Sequence, residues 1–250
     1  MKNTANPKGF IIYEGNSVLD GAPIVVIATL ETSNVKTGKM VQTWIMRSDI
    51  EPHQAVKSGQ DESVCGGCPH RHYLGGSCYV LPFQAPLGVY RAYKRGSYPK
   101  LTAEYFWMLN GRKLRAGAYG DPAAVPYYIW KGLFALASGG TGYTHQAGHP
   151  NFDPRILEFC MVSADTPKQA QKFHKQGLRT FRVKTEDAPL LAGEIECLAD
   201  SKGLSCEECL LCSGATVRGA AVVINVHGQR AKRYEAKYAK ANMIPTVSVA

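Results

Sequence analysis

Residues 64–79, VCGGCPHRHYLGGSCY, carry three of the eight cysteines of the chain, which are Cys65, Cys68 and Cys78. Two histidines, His70 and His72, follow the second of these cysteines. A Cys-x-x-Cys pair places two thiolates on one turn, where both can bind one metal ion at about 2.3 Å from each sulfur. The stretch predicts a metal site, and we expect the rest of the chain to be the scaffold that presents it.

The metal of this first cysteine group is not fixed by its ligands. With His70 or His72 as a fourth ligand, three thiolates form a closed tetrahedral zinc site. Without a fourth protein ligand, the three cysteines suit a four-iron (4Fe-4S) iron–sulfur cluster with one iron open to a small molecule. Thiolates bind both metals well, so both alternatives stay open.

A second cysteine group lies in CLADSKGLSCEECLLC, and its members are Cys197, Cys206, Cys209 and Cys212. Four thiolates can complete a tetrahedral site without other ligands. The tight Cys-x2-Cys-x2-Cys run resembles ferredoxin-type ligation and favours iron over zinc. The simpler interpretation is that the bound metal, iron or zinc, only stabilises a long loop. The remaining cysteine, Cys160, lies among apolar residues and is expected to be a small buried side chain.

Length and composition indicate one ordinary globular domain. The chain has 250 residues, of which 45% are hydrophobic and 20% are charged. The start, MKNTANPKGF, lacks the apolar run of a signal peptide, and no stretch is apolar enough for a membrane span. We therefore expect a cytoplasmic protein with no membrane contact. Thiols stay reduced there, so the cysteines predict metal binding and not disulfides.

The formal net charge of +9 is consistent with an anionic partner such as nucleic acid or a nucleotide, or simply with solubility. Basic residues cluster in QRAKRYEAKYAKAN, whose cations are Arg230, Lys232, Arg233, Lys237 and Lys240. Tyr234 and Tyr238 are four residues apart in the same segment. The pattern can bind phosphates and bases, but packing of the tyrosines on the core is the favoured interpretation.

The order of the segments predicts an α/β fold. Apolar runs such as PIVVIATL and MVQTWIMRSD read as strands, and later strands alternate with helices such as TPKQAQKFHKQG. Such alternation predicts a parallel sheet, and polar clusters after the strands favour a partial (β/α) barrel. We expect one α/β domain over residues 1–228 and a basic helix and tail over residues 229–250.

Four residues at predicted strand ends are candidates for chemistry outside the cysteine groups. His145 and His227 can carry protons near neutral pH. Asp121 and Asp165 can hold ribose hydroxyls or an amine, and Asp121 forms the candidate catalytic set with the two histidines. Each aspartate also precedes a predicted helix, so N-capping explains it without function. For Asp165 capping is the favoured interpretation.

Several motifs together resemble the radical S-adenosylmethionine barrel, and more closely a family of phage- and prophage-encoded proteins distantly related to it. They are CPHR with CY, YGDPAAVP, TGYTH, SADT, FRV and CEECLLCSG, and they span residues 10–228. The resemblance implies a cluster on Cys65, Cys68 and Cys78. It also implies S-adenosylmethionine beside Tyr119, Gly120, Asp121, Ser163 and Asp165. The common Cys-x3-Cys-x2-Cys spacing of that superfamily is replaced here by gaps of two and nine residues.

Three functions are consistent with these features. The first is a radical enzyme that modifies a nucleotide, a nucleic acid or a peptide. The second is a nucleic-acid-binding protein stabilised by zinc. The third is a phage accessory protein that binds a host protein.

Overall fold

The computed structural model describes residues 6–242, which form one nine-stranded sheet with helices against it. The strands are β1 (Gly9–Asn16), β2 (Pro23–Thr29), β3 (Val41–Arg47), β4 (Lys113–Tyr119), β5 (Gly139–Thr144), β6 (Met161–Ala164), β7 (Thr180–Lys184), β8 (Glu194–Glu196) and β9 (Ala221–Asn225). The α-helices are α1 (Pro52–Ser58), α2 (Glu62–Cys65), α3 (Ala85–Lys94), α4 (Tyr127–Leu136), α5 (Pro167–His174), α6 (Leu198–Ser201), α7 (Cys206–Cys209) and α8 (Ala231–Asn242).

The sheet has the order β1-β2-β3-β4-β5-β6-β7-β9-β8 and does not close within the described residues. From β3 to β8 every pairing is parallel. The predicted α/β class with a mainly parallel sheet is therefore confirmed. The carboxyl ends of the parallel strands lie at one edge, where their connecting loops can form a site.

The main core lies where β2 and β3 pair with their neighbours. The side chains from Ile24 to Thr29 on β2 are buried, as the continuous apolar run predicts for a strand covered on both faces. Helix α4 packs beside this core through Trp130, which is 1% exposed. The Trp130 indole nitrogen donates to the carbonyl of Pro122 at 2.8 Å, so the buried N–H has a partner.

Three details differ from the sequence predictions. The pairs β1–β2 and β2–β3 are antiparallel, where a parallel sheet was expected throughout. Strand β8 was not predicted as a strand. By sequence, LTAEYFWMLNG (residues 101–111) predicts a helix capped by Thr102 and ended by Gly111, whereas the structure has a short 3-10 helix, Ala103–Met108, in which no side chain is fully buried. Thr102 precedes it, but its side chain makes no capping hydrogen bond, because its hydroxyl contacts Glu104 instead.

By sequence, the glycine-rich run 139–142 precedes a strand and is a poor candidate for a nucleotide-binding loop; in the structure it forms the first part of β5. Gly140 is needed there because a Cβ would lie 2.3 Å from the carbonyl oxygen of Leu114 on β4, and a Cβ on Gly142 would lie 2.6 Å from the sulfur of Cys160. A nucleotide-binding loop at this position is thereby ruled out.

Helix α8 packs on the sheet through Tyr234, which is 1% exposed, as the favoured interpretation of the basic helix predicts. The tail over residues 243–250 lies outside the described residues. No helix in the range 6–242 has the length and apolar character needed to cross a bilayer.

Candidate metal and ligand site

A cavity of about 280 Å³ lies against one face of the sheet and contacts both cysteine groups. Cys65, Cys68 and Cys78 of the first group line it, and so do Cys197 and Cys206 of the second. Arg115 on β4 and Tyr143 on β5 form part of its wall. Two segments that are far apart in the sequence therefore share one chamber.

The first cysteine loop is held in shape by Arg71, which the sequence analysis did not single out. Arg71 is 5% exposed, and its guanidinium contacts both carboxylate oxygens of Asp61, at 2.7 and 3.1 Å. It also donates to the carbonyl oxygens of Gly59 and Gly66. The planar donor fork of arginine can bind these acceptors at once, so one buried side chain joins the start and the middle of the loop.

The loop then folds back on itself at Gly76. The backbone N–H of Cys78 donates to the carbonyl of His70 at 2.9 Å. A Cβ on Gly76 would lie 2.3 Å from the His70 backbone, so the approach requires glycine. His72 donates from Nε2 to the carbonyl of Cys78 at 2.7 Å. These contacts bring Cys78 back towards the first two cysteines.

Asp121 and Gln146 fasten the loop to the carboxyl ends of β4 and β5. Gln146 donates to the carbonyl of Cys65 at 2.9 Å and accepts from the N–H of Gly67 at 3.0 Å. Asp121 accepts from the N–H groups of Ala123 and His145 and from Gln146. Its capping role is confirmed. With its oxygens engaged in this way, Asp121 is placed to position the loops.

Asp165 does not cap α5; Thr166 does, by accepting from the N–H of Gln169. The favoured capping interpretation of Asp165 was therefore wrong. Instead, Asp165 Oδ1 lies 2.6 Å from His70 Nε2 and 3.4 Å from His145 Nε2. The side chain of His145 is in turn hydrogen-bonded to Cys68. A continuous polar chain thus runs from β6 through His145 to a cysteine of the first group.

Burial and these neighbours change the proton affinities at this end of the cavity. Burial raises the pKa of Cys65 well above its ordinary value and that of Cys78 to about 11. Burial would lower the pKa of His145, but Cys68 and Asp165 together raise it well above its ordinary value. Burial alone would raise the pKa of Asp165, but hydrogen bonds and charge from His145 and His70 outweigh burial and lower it.

The spacing of the ligand atoms separates single ions from larger groups. Among residues 6–242, the one group of three His, Cys, Asp or Glu side chains with all ligand atoms within 4.8 Å is His70, His145 and Asp165. Neither cysteine group therefore brings three sulfurs within that distance. Two sulfurs on one tetrahedral zinc lie about 3.8 Å apart, because each Zn–S bond is about 2.3 Å. Neither cysteine group therefore has three sulfurs at the mutual spacing of ligands on one ion.

Tyr119 adds a buried polar atom beside the first cysteine group. Its hydroxyl is buried and has no hydrogen-bond partner among the described residues. The charges of Cys65 and Cys78 both act on it, and Tyr119 lines the cavity. Since buried hydroxyls in proteins nearly always have a partner, the Tyr119 hydroxyl is available to a water or a ligand at the cysteine end of the cavity.

The second cysteine group reaches the amino end of β4, although Cys197 itself directly follows the carboxyl end of β8. The Nζ of Lys113, the first residue of β4, donates to the carbonyl of Glu207 at 2.6 Å. Burial raises the pKa of Cys212 to about 12, although Tyr143 hydrogen-bonds its thiol. The charges of Cys197 and Cys206 also act on Cys212. The charges of Cys197 and Cys209 act in turn on Cys206, so the four thiols lie close enough to influence one another.

Helix α8 covers the first cysteine group. The hydroxyl of Tyr234 donates to the carbonyl of Asp165 at 2.9 Å, and the Tyr238 ring lies 5.9 Å from that of His70. Burial, with the charges of Asp165 and Cys68, raises the pKa of Tyr238 to about 12. The sequence showed the tyrosines four residues apart, but not that they cover the cysteines.

The other predicted site residues occupy different positions around the cavity. Gly120 lines it, but its φ of +79° and its close approach to the backbone of Ile45 give it a structural reason to be glycine. Ser163 lines the wall on β6. His227 is exposed at the edge, next to the ring of Tyr79, and is not hydrogen-bonded to His145 or Asp165. Cys160 is buried, as expected.

Comparisons with protein-family models, with curated proteins and with solved structures find no match to this chain. Its function is therefore inferred from the geometry above.

Proposed function

We propose that this protein is an iron–sulfur protein of radical-SAM-like type that acts on a small molecule held between two cysteine-ligated metal groups. The observation that carries the proposal is the shared cavity, which is lined by all three cysteines of the first group and by Cys197 and Cys206 of the second. The first group is fastened at the carboxyl ends of β4 and β5. In parallel α/β folds, ligands bind outside the carboxyl ends of the strands. A partial barrel with the first group at this end suits that arrangement.

The first group fits a cluster better than a single zinc. Its three sulfurs are not within 4.8 Å of one another, as a shared ion would require. His70 uses both ring nitrogens, towards Ser77 at 2.8 Å and Asp165 at 2.6 Å, and His72 uses Nε2. The loop thus offers three thiolates and no ready fourth ligand. A four-iron cluster with one open iron suits such a set.

The residues of this chain have separate roles in the proposal. Cys65, Cys68 and Cys78 would bind the cluster, and the second group would bind another. Tyr119, Gly120, Asp121, Ser163 and Asp165 line the cavity and would surround S-adenosylmethionine. When bound, these two groups would supply one-electron chemistry. His145, held by Asp165 and touching Cys68, is the residue best placed to hold a proton there.

Anaerobic purification with counts of iron, zinc and labile sulfide tests the proposal. We expect a brown protein whose iron and sulfide fall in Cys65→Ala and in Cys206→Ala. Cys160→Ala is the matched control, because its thiol is buried away from the cavity, and it should keep both groups. A colourless protein with about two zinc ions per chain would overturn the proposal.

A zinc-stabilised nucleic-acid-binding protein is the second candidate. His70, His145 and Asp165 form a compact set of the kind that holds one ion, and Cys68 is hydrogen-bonded to His145. Lys232, Arg233 and Lys237 on α8 are exposed. This candidate predicts zinc that is lost in His145→Ala, and nucleic-acid affinity whose logarithm falls linearly with the logarithm of salt concentration.

A further inference from the structure

Arg115 is a buried cation in the middle of the cavity wall, and the functions considered so far do not use it. It lies on β4, is 8% exposed and lines the cavity. Within residues 6–242, no carboxylate lies within ion-pair distance, 4.0 Å, of its guanidinium. Of the other buried arginines, Arg71 pairs with Asp61 and Arg182 pairs with Glu194. Arg179 also has no carboxylate partner in the described chain, but its guanidinium donates to three backbone carbonyl oxygens.

The neighbours of Arg115 are polar aromatic groups. One of its terminal nitrogens donates to the Tyr79 hydroxyl at 3.1 Å, and its guanidinium carbon lies 5.3 Å from the centre of the Tyr143 ring. A buried charge is costly unless it is paired, and cation–π contact offsets only part of that cost. The guanidinium fork matches the two oxygens of a carboxylate or phosphate. The pocket therefore has a cation whose natural partner is an oxyanion.

The wall around Arg115 suits a flat ligand. The rings of Tyr143 and Phe181 lie 4.4 Å apart, and both line the cavity together with Tyr79. Aromatic walls with a few polar groups are typical of small-molecule sites, and about 280 Å³ is near the lower end of their size range.

We propose that Arg115, with the hydroxyls of Tyr79 and Tyr143, binds the carboxylate or phosphate of a small substrate that carries a planar ring. The inference rests on the proposed function only in placing that substrate between the two cysteine groups. Anion binding by Arg115 does not itself require a metal, so the two proposals fail separately.

Three matched probes test the inference: phenyl phosphate, benzoate and the uncharged benzamide, each titrated calorimetrically into the anaerobically purified full chain. We expect at least one anionic probe to bind and benzamide not to bind. Comparing the affinities of phenyl phosphate and benzoate shows whether the site prefers a phosphate or a carboxylate. Arg115→Gln should weaken the anionic probe by about ten- to a hundredfold, as for loss of a charge-assisted hydrogen bond. Arg115→Lys keeps the charge but loses the planar guanidinium fork, so its affinity for the anionic probe should lie between those of the unchanged protein and Arg115→Gln.

Arg218→Gln is the charge-matched control, because Arg218 is exposed and does not line the cavity. Tyr79→Phe tests the same site in case the arginine variants misfold, because Tyr79 is 52% exposed and its hydroxyl is not needed by the core. It should weaken the same probe to a smaller degree. The inference is overturned if no anion binds, or if Arg115→Gln and Arg218→Gln bind equally.

Metal content of the same samples separates this inference from the proposed function. An anion-binding protein without iron supports the role of Arg115 and removes the cluster. Arg115→Gln that binds the probe normally but loses metal from the second cysteine group would make Arg115 a counter-charge for Cys206, whose charge acts on it, and would overturn the inference.

Discussion

Nε2 of His70 lies 2.6 Å from Oδ1 of Asp165, which joins the cysteine loop to the carboxyl end of β6 across 95 residues of sequence. His145 shares the same carboxylate oxygen at 3.4 Å and contacts Cys68. One carboxylate thus orients two imidazoles, one within the loop and one on the strand edge beside it. Such outer partners of metal ligands control how firmly a metal is held.

Asp165→Asn should weaken metal retention without removing any cysteine. The amide keeps the shape of the side chain but loses the negative charge that both histidines face. Outer-shell substitutions typically lower metal affinity by about ten- to a hundredfold. We expect metal to pass to a chelator correspondingly faster, measured by the colour of the chelate. Asp187→Asn, at an exposed position, is the control. Equal rates in both variants would contradict a role for Asp165.

Arg71→Gln should destabilise the fold through the cysteine loop. Arg71 and Asp61 are both almost fully buried, and breaking a buried pair from one side typically costs about 3–5 kcal/mol. Denaturant unfolding of the metal-free protein measures the loss. Arg155→Gln removes a pair on the surface, where Arg155 is 63% exposed, and should leave the midpoint unchanged. If the two variants unfold at the same denaturant concentration, the loop is not held by Arg71.

The strands were predictable where burial is continuous. On β2 and β3 the apolar runs coincide with the observed elements, because a strand covered on both faces needs no polar alternation. Strand β8 was missed because Glu194-Ile195-Glu196 is short and acidic. Glu194 is buried only because Arg182 on β7 pairs with it at 2.6 Å, and that partner is not visible in the local sequence.

The antiparallel pairing of β1 with β2 could have been predicted from the sequence. Residues 17–22 between β1 and β2 are too few for the crossover that a parallel pair needs, which takes a dozen residues or more. The site was harder to predict from the sequence. The spacing of the cysteines identified them as metal ligands, whereas Asp165 resembled a helix cap because it lies next to the residue that does cap α5, Thr166. Arg115 looked like any polar residue in a strand until the fold placed it in the cavity.

Metal loading of the first cysteine group should depend steeply on pH. Burial raises the pKa of Cys78 from 9.0 to about 11, so the thiol is protonated near neutral pH and a metal must displace that proton. Apparent affinity should therefore rise with pH, by about tenfold per unit for each displaced proton. Competition with a chelator of known affinity between pH 6.5 and 8.5 measures this rise, and a flat profile would contradict it.

The raised pKa of Cys78 has the opposite effect on the stability of the metal-free protein, which should fall as pH rises. A thiol whose pKa is higher in the folded state binds its proton more tightly there, so its contribution to stability is complete below pH 9 and is lost as pH rises through about 11. Unfolding of the metal-free protein should therefore become easier over that range. Cys78→Ala should show a smaller decrease in stability over the same interval.

Tyr238→Ala should open the first cysteine group to solvent. The ring of Tyr238 packs 5.9 Å from His70 and 4.8 Å from Tyr234, which anchors α8 to Asp165 and Val183. Removing the ring uncovers the loop while Tyr234 keeps the helix attached. We expect thiols of the metal-free protein to react faster with a bulky maleimide, and bound metal to be lost sooner in air. Lys232→Ala, on the exposed side of the same helix, is the control. Unchanged thiol reactivity in Tyr238→Ala would show that α8 does not shield the cysteines.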